Sequence, residues 1–161
     1  CELPRTRTHL HFQSAAMRDG MGFLLAVAPA YLSWNRSSTP GLRSRLGWKP
    51  LPGTAKSAEL VQSALAACHY RTWCLLGGAA TLARILAQLS RIATQLPPGA
   101  VLVLYLCGHG GLAGGLQCFV DDEGAIIRLR ALIAFVAHHI RGRAYLVVLA
   151  DCCRTVLDLR T

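Results

Sequence analysis

At 161 residues the chain is long enough to bury a full core without disulfides or metals, and 53% hydrophobic against 16% charged residues excludes a disordered polymer. The formal charge of +9 would suit nucleic acid, but the basic residues are scattered and mostly Arg, with no dense run, so a nucleic-acid partner is not expected. The longest apolar stretches, 21–32 and 100–107, fall short of the roughly 20 residues a bilayer span needs, so no membrane partner is expected either.

Residues 1–20 carry no apolar leader and are expected to form a basic extension ahead of one domain over 21–161. Gly22 to Ala30 reads as a buried strand, followed by a Ser/Arg/Pro/Gly loop from Ser33 to Pro52. Ala55, Ala58, Val61, Leu65 and their neighbours fall at helical spacing, which predicts a helix over 54–67 with Thr54 or Ser57 as its cap. Tyr70 to Leu76 is a short strand, and Gly77 and Gly78 make a turn. Leu82, Ile85, Leu86, Leu89, Ile92 and Leu96 then mark an amphipathic helix stopped by Pro97, Pro98 and Gly99. Ala100 to Cys107 is a continuous Val/Leu run, the pattern of a parallel strand covered on both faces. A helix over Arg128 to Ile140 leads into a last strand, Tyr145 to Ala150. Strands alternating with helices predict an α/β three-layer sandwich, a mainly parallel sheet with helices on both sides.

In such sheets, sites form where the chain leaves the carboxyl ends of strands. Two apolar runs stop there at reactive side chains, "LVLYLCGHGG" at His109 and "LVVLADCCRT" at the Cys152/Cys153 pair. A thiolate is a strong nucleophile, and a neighbouring imidazole can take its proton and later deliver one to a leaving group. Side chains alternate along an extended segment, so Asp151 and Cys153 share a face while Cys152 turns away. That selects Cys153 as nucleophile and places Asp151 beside it. Gly108 and Gly110 leave room for a substrate, and the Gly110 and Cys153 amides are candidate oxyanion donors. Cys152 is read as packing, and Cys68, Cys74, Cys107 and Cys118 as small buried hydrophobes. Seven cysteines, an odd number in no repeating framework, indicate free thiols in a reducing compartment, with cytosol the expectation and nucleus the alternative.

These residues resemble the caspase-like cysteine peptidases. "YLCGHGG" looks like the histidine motif of that clan, and "ADCCRT" resembles the Asp-x-Cys of metacaspases and paracaspases. His109 precedes Cys153 by 44 residues, against about 50 in caspases. The resemblance runs from about Gly22 to Asp158 and implies an endopeptidase with His109 and Cys153 as its dyad. Asp151, where caspases have Gln, implies cleavage of protein or peptide substrates after Arg or Lys. Asp122 matches a second acidic position, and in metacaspases such residues line the substrate pocket or hold calcium, so Asp121 and Asp122 are candidates for either. No other cofactor is implied. Arg154, Thr155 and Val156 depart from the metacaspase pattern. The chain ends at Thr161, which implies only the large-subunit part of that domain, truncated after the cysteine strand.

Rival readings stand beside this one. A catalytically silent caspase-like scaffold would keep the fold for protein contacts alone. "GHGGLA" also reads as a G-x-G-x-x-A dinucleotide fingerprint, but the following "GGLQCFVDDEG" does not open a helix, and no acid stands about 20 residues on. Asp121 to Glu123 followed by Gly124 also reads as a solvated turn. No C-x-x-C occurs, and adjacent His138 and His139 on a helix diverge by about 100°, which does not favour metal ligation.

Overall fold

The computed structural model describes residues 20–31 and 49–153, so the expected extension apart from Gly20, most of the 33–52 loop, and everything after Cys153 lie outside it. Among the described residues, seven strands and three longer helices follow in chain order. They are β1 (Gly22–Ala28), α1 (Thr54–Ala67), β2 (Arg71–Leu76), α2 (Leu82–Gln95), β3 (Val101–Gly108), β4 (Gly110–Ala113), β5 (Leu116–Val120), β6 (Ile126–Arg128), α3 (Leu129–Ile140) and β7 (Tyr145–Cys152). Strands β2, β1, β3 and β7 form one parallel sheet in that spatial order, and β4, β5 and β6 form a second, antiparallel one.

The apolar periodicities explain the layers. Every residue of β1 and all but the first of β3 are buried, because helices cover both faces of these central strands. Phe23, Leu25, Val27, Leu102, Leu104 and Leu106 point into a core shared with α2 and α3. Leu24, Ala26, Ala28, Val103, Tyr105 and Cys107 point the other way, onto a smaller core with Ala58, Val61 and Leu65 of α1. Helix α2 buries Ile85, Leu89 and Ile92, one stripe at spacings of four and three, and α3 buries Leu129, Leu132, Val136 and Ile140 in the same way. The result is a mixed α/β fold with helices flanking two sheets.

Several boundaries differ from the sequence expectation, each for a physical reason. Strand β1 stops at Ala28 because Pro29 has no N–H to give a neighbour. Strand β7 continues to Cys152 because β3 offers partners as far as Gly108. Thr54 is inside α1 rather than its cap, and its hydroxyl lies 2.8 Å from the Pro29 and Leu51 carbonyl oxygens, tying the helix start to the exit of β1. Cys68 is exposed, not buried, since it ends α1 as its C-terminal cap. The small second sheet was not foreseen: its β4–β5 hairpin turns at Gly114 and Gly115, whose φ angles of 58° and 77° suit the tight turn joining two twisted strands.

Candidate active site at the carboxyl edge

The site is assembled where β3 and β7 end. Their parallel register runs from Val101↔Tyr145 through Cys107↔Asp151 to Gly108↔Cys152, so His109 and Cys153 are each the next residue along the chain. Strands in a sheet lie about 4.8 Å apart, which sets the spacing at which the two backbones leave it. Asp151 and Cys152 face opposite sides of β7. Asp151 Oδ2 accepts from the Tyr105 hydroxyl (3.1 Å) and lies 3.7 Å from Cys107 Sγ, on the α1 side. Cys152 instead packs on the larger core.

His109 is fixed on every side that its surroundings reach. Its backbone N–H donates to Tyr31 Oη (2.7 Å), and its carbonyl accepts from the Val120 amide (3.0 Å). The imidazole rests on the Tyr31 ring, with centroids 4.5 Å apart. Nε2 is 2.6 Å from the Lys49 carbonyl oxygen, and since a carbonyl only accepts, Nε2 carries the proton and the neutral ring presents Nδ1 as its basic atom. Burial lowers the imidazole pKa below its usual 6.5, while the Lys49 carbonyl works in the opposite direction.

Glycines flanking the histidine are sterically required. A Cβ on Gly108 would sit 2.5 Å from Tyr31 Oη, and one on Gly110 would sit 2.6 Å from the Cys118 carbonyl oxygen and 2.8 Å from Cys152 Sγ. Because the Val120 amide bonds to the carbonyl of His109, Gly110 and Phe119 form a non-hydrogen-bonded pair, and the Gly110 N–H points away from β5.

On the thiol side, Cys153 is exposed and Cys152 half-buried. Burial pushes the Cys152 thiol pKa up; the Gln117 amide, 3.4 Å from its sulfur, works against that. The same Gln117 Nε2 donates to the Cys153 carbonyl (3.0 Å) and so ties β5 to the end of β7.

The acidic pair follows β5 directly. Asp121 is fully buried, and its carboxylate accepts from the amides of Leu82 (2.7 Å), Glu123 (3.0 Å) and Ala125 (2.6 Å). It thus serves the N-terminus of α2 and its own turn, where an anion is favoured. Asp122 Oδ1 accepts from the Tyr31 amide (2.7 Å). Both Asp121 oxygens and Asp122 Oδ1 face backbone donors, a donor set that does not favour calcium, and no group of three His, Cys, Asp or Glu placed to share an ion occurs among the described residues.

Sequence reasoning assigned no role to Tyr31, Tyr105, Gln117 or the Lys49 carbonyl. Tyr31 carried a signal of sorts, since it follows the apolar β1 run just as His109 follows β3. The Lys49 carbonyl carried none, because any residue type supplies one.

No protein-family profile and no curated protein matches the chain. Among solved structures, protein GSU0716 from Geobacter sulfurreducens is similar, with a TM-score of 0.64 and 21% identity over 82% of this chain and 50% of that one. The likeness is one of fold, and the chain spans about half the length of that structure. No helix among the described residues is long and apolar enough to cross a membrane.

Proposed function

We propose that the domain is a caspase-like cysteine endopeptidase. The observation that carries this reading is the β3–β7 register, which brings the chain out of the sheet at His109 and at Cys153 one residue beyond the same pair. His109 Nδ1 takes the Cys153 thiol proton, and the sulfur attacks the peptide carbonyl. The amides of Gly110 and Cys153 hold the resulting oxyanion, as the outward direction of the Gly110 N–H favours. The proton then passes from the imidazolium to the leaving amine, and water, deprotonated by the same ring, releases the acyl group. Asp151 is exposed at the same edge and steadied by Tyr105, a position suited to a P1 Arg or Lys side chain.

The six cysteines among the described residues are all free thiols, in keeping with a reducing compartment such as the cytosol. The test is cleavage of a fluorogenic peptide with P1 Arg by the protein and two variants. Cys153→Ser is expected to abolish turnover while Cys152→Ser retains it. Equal cleavage by both variants would reject the dyad, and no cleavage with no labelling by a basic-peptide electrophile would favour the silent scaffold.

A further inference from the structure

Tyr31 stands just beyond the end of β1, 78 residues from His109 in sequence, and is fully buried. Its backbone has a φ of 59°, a left-handed conformation that a bulky side chain rarely adopts. Three hydrogen bonds among the described residues help hold it there. Its amide donates to Asp122 Oδ1 (2.7 Å), its hydroxyl donates to the Val120 carbonyl (2.8 Å), and the same oxygen accepts the His109 amide (2.7 Å). The hydroxyl therefore occupies the break between β3 and β4, doing for the His109 amide what a neighbouring strand does for residues on either side. Gly108 is what lets it come so close, since any side chain there would collide with the oxygen. Burial raises the phenol pKa well above its usual 10, which keeps the hydroxyl a donor to Val120.

We infer that Tyr31 is the positioning residue for His109, and that Asp122 acts in the site by holding Tyr31 rather than by receiving a substrate side chain. The chain of contact runs from the Asp122 carboxylate to the Tyr31 amide, then from the Tyr31 hydroxyl and ring to the backbone and imidazole of His109. Freed from it, His109 would keep its Lys49 contact only intermittently, and Nδ1 would no longer be presented in one orientation. Misplacement of a reacting group by about 1 Å can reduce turnover on the order of a hundredfold.

This inference rests on the peptidase reading for its consequence in turnover, but not for the positioning itself, and the experiment separates the two. Tyr31→Phe keeps the ring and removes only the hydroxyl. With the P1 Arg substrate, kcat is expected to fall about tenfold to a hundredfold with KM within about twofold. In the 15N-histidine spectrum, the Nε2 proton of His109 is expected to be visible in the parent protein and lost to solvent exchange in the variant. Asp122→Ala, should Tyr31→Phe not fold, lowers kcat in the same way, and Asp122→Asn, which keeps an accepting oxygen, restores it. Unchanged kcat together with an unchanged Nε2 proton overturns the inference, as does an effect of Asp122→Ala confined to KM. If the parent protein cleaves nothing, the peptidase reading fails, and the Nε2 proton alone decides whether Tyr31 positions His109.

Discussion

The two strand ends that define the site are built on opposite plans. The histidine end is braced from β1, β5 and the segment at Lys49, with both backbone groups, Nε2 and one ring face of His109 all engaged. The thiol end lies on the outer strand of its sheet, where Tyr145, Val147 and Leu149 are exposed and Gln117 is the tie to the neighbouring sheet. In the proposed dyad the base would need one tautomer and one direction, which a rigid socket supplies, and the nucleophile would need access. The contrast teaches that rigidity and exposure are divided between adjacent strands.

That division can be broken at the braced end with the largest effect. Asp121→Ala removes the acceptor of three amides and should cost about 3 kcal/mol in urea unfolding, whereas Asp121→Asn should cost less by keeping one acceptor. Gly108→Ala comes next. Its methyl group would meet Tyr31 Oη at 2.5 Å, so a loss of about 1–3 kcal/mol accompanied by reduced turnover is expected in the same assay.

A pH profile sharpens the comparison without mutation. Burial lowers the His109 pKa, so the neutral base survives to more acid solution than an ordinary imidazole, and the acid limb of kcat/KM should fall below pH 6.5. The stability sign follows from the same shift: below that pH the unfolded chain takes up the proton first, so acid should lower the urea midpoint. The smallest effect is expected at the open end, where Leu149→Ser, at a residue 46% exposed, should change stability by no more than about 0.5 kcal/mol. A large loss there would mean that the outer strand is held as firmly as the inner one.

How much of this was legible in the sequence depended on the range of the interaction. Helices α1 and α2 and the buried strands were readable because local periodicity encodes them, and the alternation of Asp151 and Cys152 follows from the geometry of an extended chain. The β4–β6 sheet was missed because its strands are three to five residues long and its first begins in a glycine pair, too little for a pattern. The acidic pair was open to reading as pocket residues, ion ligands or a solvated turn because carboxylates at a turn look alike until their partners are known. For Asp121 those partners include Leu82, 39 residues away, and for Asp122 they include Tyr31, 91 residues away. Long-range acceptance by backbone amides leaves no trace in composition or spacing.

The alignment of β7 on β3 decides which of two adjacent sulfurs sits in solvent. Lengthening or shortening the 141–144 connection leaves that choice untouched so long as Tyr145 still meets Val101, whereas one residue inserted within β7 would move Asp151 into the core-facing slot of Cys152 and Cys152 into the exposed slot that follows. Insertions in this segment act by parity: an even shift preserves which faces are presented, and an odd one exchanges them.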